Sequence, residues 1–130
     1  MAYLVNDAID KIQNDEIVYT IEKGTTEYIS LTLKDEKTGN NYVMSSEEKA
    51  VFGVKRRLED STCVILKQFG ADNYYDGQYT LVISATETNI PPGRYYFDVG
   101  ILYGNGDFYK PITSKRLRIN GGVTTSNNII

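Results

Sequence analysis

Among its 130 residues the chain has no histidine, no tryptophan, one cysteine and three prolines. Without histidine there can be no Ser-His-Asp triad, no Cys-His nucleophile pair and none of the common histidine-containing zinc sites. A single cysteine excludes an intramolecular disulfide and leaves the redox compartment open. Cys63, within Thr62-Cys63-Val64-Ile65-Leu66, has no base partner in the sequence and reads as a small core hydrophobe. No apolar run approaches the roughly 20 residues of a membrane-spanning helix, so no membrane partner is expected. The N-terminus lacks a basic start followed by an apolar core, which gives the expectation of synthesis in the cytoplasm without a secretory signal. A net charge of −3 offers no general attraction to a phosphate backbone, and nucleic acid is not an expected partner. Lys55-Arg56-Arg57 and Lys115-Arg116-Leu117-Arg118 are nevertheless locally basic.

What the chain does have is period-two alternation broken by turn residues. Tyr79, Leu81 and Ile83 share one face of a strand that follows the Asp76-Gly77 turn. Ser84 or Thr86 can cap one short helical turn, closed by Pro91-Pro92-Gly93. Tyr95, Phe97, Val99 and Ile101 then line one face of a long strand that reads as central in its sheet. Gly104-Asn105-Gly106-Asp107 supplies a tight hairpin before Phe108-Tyr109-Lys110, and Pro111, lacking an amide hydrogen, belongs at an edge or a bulge. Upstream, 17–21 reads as a first strand and 27–34 as a second with Ile29, Leu31 and Leu33 inward. Tyr42-Val43-Met44 reads as a short edge strand, Ala50, Phe52 and Val54 as the inward side of another, 62–68 as a further strand, and 70–77 as a polar loop. A last strand, 114–120, turns Leu117 and Ile119 inward and Lys115, Arg116 and Arg118 outward.

About seven to nine short strands between Gly, Asn, Asp and Pro turns predict an all-β fold, an antiparallel two-sheet β-sandwich, with the immunoglobulin-like type as first choice. The disulfide and tryptophan of antibody domains are absent, so Phe52, Tyr79, Tyr95 and Phe97 must fill the centre. The expected organisation is an N-terminal arm or short helix over 1–16, where Ala8, Ile9 and Ile12 have loose helical spacing, a sandwich over 17–120, and a flexible tail over 121–130.

Reactive chemistry is sparse. Asp72 with Asp76, or Asp98 with Asp107, are the carboxylate pairs that acid–base hydrolysis would need, but solvated turn aspartates account for them better. Asp98 reads as an outward strand position satisfied by a neighbouring hydroxyl or Arg94. Asp72 to Gly77 has the look of a calcium loop but carries tyrosine at the third position and Ile83 at the twelfth. Gly104 to Asp107 has no following helix to make it a phosphate cradle. No catalytic residue, metal or cofactor is therefore expected. The eleven tyrosines invite a binding role instead: Tyr42, Tyr74, Tyr75, Tyr103 and Tyr109 lie in or near loops and can present amphipathic contact area to a protein, or stack on a carbohydrate.

Several segments resemble the immunoglobulin-like domains of tailed-phage particles, in particular the N-terminal domain of upper baseplate proteins from phages of Gram-positive bacteria. The segments are Tyr28 to Leu33, Phe52-Gly53-Val54-Lys55, the DG-x-Y-x-L-x-I run from Asp76 to Ile83, the polar turn Ala85 to Asn89, and Pro92 to Val99. The resemblance spans roughly Ile17 to Asn120. It implies a non-enzymatic virion protein of the tail, baseplate or fibre. Its partners would be other structural proteins and further copies of itself, as trimers or higher rings. The alternative is a carbohydrate-binding or adhesion module that recognises a bacterial surface.

Overall fold

The computed structural model describes residues 2–5, 19–35 and 37–122, and it is all-β. Among the described residues nine strands run in chain order: β1 (Ala2–Val5), β2 (Tyr19–Glu22), β3 (Glu27–Asp35), β4 (Lys49–Lys55), β5 (Ile65–Gly70), β6 (Tyr74–Tyr75), β7 (Gln78–Ile83), β8 (Gly93–Leu102) and β9 (Phe108–Asn120). They form a four-stranded sheet, β1-β3-β7-β6, and a five-stranded sheet, β2-β9-β8-β4-β5. Neighbours pair antiparallel except β2 and β9, which run parallel with Tyr19 opposite Leu117.

The alternation decides the layers. Ile29, Leu31 and Leu33 on β3 and Tyr79, Leu81 and Ile83 on β7 are buried on the inner face of one sheet. Phe52 and Val54, Tyr95 to Ile101 at every second position, Leu117 and Ile119 are buried on the inner face of the other. The aromatic centre foreseen from composition is present: Phe52 and Phe97 lie 5.4 Å apart, and Tyr79 meets Phe69 across the sheets at 5.8 Å. β8 is the middle strand of its sheet, as its length and apolar face require.

Turn chemistry closes the ladders. Asp76 (φ 49°) and Gly77 (φ 84°) are both left-handed, the conformation of a two-residue hairpin loop between Tyr75 and Gln78. Pro111 sits where β9 has one residue more than β8, between the pairs Ile101–Tyr109 and Val99–Ile112, so its missing amide hydrogen falls in a bulge. At the start of the β7–β8 connection, the Ser84 hydroxyl accepts from the Glu87 amide at 3.1 Å. The Glu87 carboxylate in turn accepts from the Ser84 amide at 3.0 Å and from Lys67 Nζ at 3.1 Å. The buried Thr88 hydroxyl then ties this turn to the Thr25 carbonyl.

Those bonds, first the one from the Ser84 amide and then Lys67, hold the Glu87 carboxyl below its ordinary value of 4.5. The fold binds the ionised form, so the gain is complete above about pH 4.5 and is lost as pH falls through the lower folded value. Glu87→Ala should lower stability by about 1 kcal/mol at neutral pH. In urea melts the gap from the wild type should narrow on acidification, and a gap that stays constant with pH would show that the carboxylate contributes nothing.

Some expectations need correction. Ala2–Val5, within the segment read as an arm or short helix, is a strand that pairs with Thr32–Asp35, while the helically spaced Ala8, Ile9 and Ile12 lie outside the described residues, as does most of the 121–130 tail. Tyr42 to Met44 is a pinned loop rather than an edge strand. Among the described residues only Asn41 makes a bridge there, to Lys34; the Tyr42 amide donates to the Leu33 carbonyl at 2.8 Å, and the Tyr79 hydroxyl takes the Met44 amide and the Tyr42 carbonyl. β5 starts at Ile65, since Ser61 to Val64 complete the turn. The presumed loop 70–77 contains a single helical turn at Ala71–Asn73 and the short β6, because Asn73 accepts from the Gly70 amide and donates to the Thr80 carbonyl. The return strand begins at Phe108, and it runs on through the Pro111 bulge into 114–120 as one strand rather than two.

Candidate functional site

The turn between β3 and β4 and the β8–β9 hairpin meet at one end of the sandwich, and three of the five tyrosines singled out from the sequence come together there. Tyr42, Tyr103 and Tyr109, with Phe108 and Asp107, line an open cleft of about 450 Å3. Tyr42 and Tyr103 pack edge to face, ring centres 6.4 Å apart. The other two lie elsewhere: Tyr74 is half-buried against Tyr79 at 5.0 Å, and Tyr75 is exposed on the edge strand β6.

Each wall of the cleft is held from beneath. The Tyr79 hydroxyl rises from the core, accepts from the Met44 amide at 2.7 Å and donates to the Tyr42 carbonyl at 2.8 Å, which fixes the backbone of the loop. The Tyr42 hydroxyl donates to Glu48, a carboxylate that is only 9% exposed and also accepts from the Ser45 amide at 2.9 Å. Burial, and then the bond to Glu48, raise the Tyr42 pKa, so its hydroxyl stays protonated at any physiological pH. The hairpin closes through Tyr103 N–H to the Asp107 carbonyl at 2.8 Å and Gly106 N–H to the Tyr103 carbonyl at 3.0 Å. Asn105 braces the Asp107 amide and carboxylate.

Phe108 connects this cleft to the outer face of the five-stranded sheet. The tip of its ring reaches Gly100: a Cβ there would stand 2.2 Å from Phe108 Cζ, so glycine is needed for the ring to approach the backbone of β8. Across the same face, Leu66 (59% exposed) opposes Gly53, with Leu58 and Cys63 around it, and Leu102 opposes the 54%-exposed Phe108. This surface combines apolar side chains with one ion pair, Asp98 to Lys110 at 2.9 Å. Two sequence readings are corrected by it. Asp98 is satisfied by Lys110 across the β8–β9 ladder rather than by Arg94, and Cys63 is half-buried beside Gly53 rather than a core residue.

The remaining acids are dispersed. Asp72 and Asp76 are exposed turn residues, and Asp76 holds the left-handed position of a hairpin rather than a place in a coordinating loop. Asp98 and Asp107 line separate depressions. Among the described residues no group of three or more Cys, Asp or Glu is placed to hold a metal, and no helix there is long and apolar enough to cross a membrane. The arrangement suits recognition. Aromatic faces and hydroxyls at the cleft, and an apolar sheet face beside it, are surfaces for stacking and docking. The sequence marked the tyrosines by loop position, but it gave no sign of Phe108 or Gly100, whose partnership depends on the hairpin fold.

No family model matches the chain. No curated protein matches it either. Among solved structures it is similar to the soluble domain of PmoD from Methylocystis sp. (Rockwell), at 9% identity and a TM-score of 0.46, over 92% of this chain and 89% of that one.

Proposed function

We propose that this chain is a non-enzymatic assembly module of a tailed-phage particle, an immunoglobulin-like domain made in the host cytoplasm and built into a tail, baseplate or fibre. Two features favour the immunoglobulin-like type. The N-terminal strands split between sheets, β1 joining β3 while β2 runs parallel to β9. The Tyr95 hydroxyl bonds back to the Pro91 carbonyl at the corner before β8, the arrangement of a tyrosine corner.

The observation that carries the assembly role is the outer face of the five-stranded sheet, where Leu58, Leu66, Leu102 and Phe108 stand exposed on positions that a lone domain would fill with polar residues. Mass spectrometry of purified particles should find the chain as a stoichiometric component. Leu66→Lys with Phe108→Ser should reduce its incorporation at least tenfold while leaving the fold intact by circular dichroism. Absence of the wild-type chain from particles would end this reading.

A second reading, recognition of a bacterial surface carbohydrate, is favoured by one observation: the cleft brings Tyr42, Tyr103, Phe108 and Tyr109 beside the Asp107 carboxylate. Aromatic faces stack on sugar rings, and the neighbouring hydroxyls and carboxylate can bond sugar hydroxyls. A glycan array with binding abolished by Tyr109→Ala would support it, and an array without binders would remove it.

A further inference from the structure

The two ends of the sandwich carry opposite charge, and the strand registers fix which residues stand at each end. Where β8 begins, Arg94 lies directly opposite Arg118 across the ladder, and Arg116 opposite Tyr96. Like charges facing each other in this way destabilise a sheet unless something neutralises them. Among the described residues none of Arg57, Arg94, Arg116 and Arg118 takes part in an ion pair. Arg56, Arg57 and Arg94 line an open depression of about 330 Å3 with Leu58, Glu59 and Tyr96. Arg56 is held in place there, its guanidinium 4.9 Å from the Tyr95 ring centre and bonded to the Pro92 carbonyl. The acids Glu22, Glu27, Glu59, Asp60 and Glu87 occupy the same end and offset part of its positive charge; Glu87 is ion-paired with Lys67, Asp60 accepts from the Arg57 amide, and none of them forms an ion pair with Arg94, Arg116 or Arg118.

At the other end, Asp72 and Asp76 flank β6, and Glu47 lies against the β8–β9 hairpin, its Oε2 within 3.0 Å of a Cβ placed on Gly104. These three are exposed and have no bonding partner among the described residues. Asp107 at the hairpin adds to them, against Lys37 and Lys49. Among the described residues the end where β8 starts is therefore richer in arginine and the end where it finishes richer in acids, in a chain of net charge −3.

We infer that copies of this chain associate head to tail, with the arginine-lined end of one seated on the acidic end of the next. Guanidinium forks match carboxylates in bidentate pairs, and the partner's acids supply the neutralisation that Arg94 and Arg118 lack within their own chain. Contacts between like ends are repelled. A heterologous contact of this kind closes into a ring or extends as a filament. The proposal deepens the assembly reading above by naming a second copy as a partner. The two fail separately: that reading fails on absence from particles, this one on sedimentation.

The test is sedimentation velocity on the full chain across a concentration series. At low salt the weight-average coefficient should rise with concentration, and at about 1 M NaCl, where the Debye length is about 3 Å, it should fall to the monomer value. Arg94→Glu with Arg118→Glu, and separately Asp72→Lys with Asp76→Lys, should each sediment as monomers at low salt. An equimolar mixture of the two variants should associate, because the unaltered acidic end of the first meets the unaltered arginine end of the second and their altered ends are complementary. A wild type that stays monomeric at low salt, association that survives either reversal, or a mixture that remains monomeric would each overturn the inference.

Discussion

Phe97→Ala should lower the unfolding free energy by about 3–5 kcal/mol, the usual loss when a large aromatic core side chain is truncated to a methyl. Phe97 is 3% exposed on β8, which is hydrogen-bonded to β4 on one side and β9 on the other. A strand held on both sides cannot move inward to fill the space, so the cavity beside Phe52 persists. Domains are typically stable by about 5–15 kcal/mol, so this one change removes a large share of the total. Urea melts should show a lower midpoint with an unchanged slope, and Phe97→Leu should recover most of the loss. A loss below about 1 kcal/mol would mean that the two inner faces do not meet around this ring.

Tyr79→Phe tests the link between core and cleft. The ring keeps its packing against Phe69 and Tyr74, and only the hydroxyl disappears. That hydroxyl serves the Met44 amide and the Tyr42 carbonyl, and leaving such groups inside without partners costs about 1–3 kcal/mol. Hydrogen exchange at the Met44 amide should accelerate in step with the loss of stability, and Tyr42 should lose its fixed position in the cleft. Burial raises the Tyr79 pKa above 10.0. The stabilisation is therefore whole below about pH 10 and declines as pH climbs above it, a decline that the phenylalanine variant should show to a lesser degree. A variant as stable as wild type, with the Met44 amide still protected, would refute this role.

Much of the architecture was legible because it follows from local rules. Tyr79-Leu81-Ile83 and Tyr95-Phe97-Val99-Ile101 alternate cleanly, Asp76-Gly77 calls for a turn, and Pro111 calls for an edge or a bulge, of which the fold uses the bulge, so most strands, faces and turns follow from residue type. The misreadings share a cause: residues whose conformation is set by a distant partner. Tyr42 to Met44 has strand-forming residues, but after the Tyr42 amide bonds to Leu33 the Tyr79 hydroxyl, 35 positions from Met44, takes the Tyr42 carbonyl and the Met44 amide. Cys63 looks apolar enough for the core, yet the turn before β5 delivers it to the outer face of the sheet beside Gly53. Of the tyrosines singled out by loop position, the fold brings Tyr42, Tyr103 and Tyr109 together at the cleft, a meeting that loop position alone does not foretell, while the β6–β7 pairing sets Tyr74 against Tyr79.

The sequence by itself determined the class of molecule: side chains alternating with period two and turns at fixed places dictate sheets, and the lack of histidine removes whole families of chemistry. Only the tertiary structure decided which strands share a sheet, that the Phe108 ring covers Gly100, and that Arg94 and Arg118, remote in sequence, stand opposite each other where β8 begins. The physical reason is one of range. Backbone preferences and burial periodicity act over a few neighbouring residues, whereas a binding surface is made by side chains that meet only after the chain has paired across long separations.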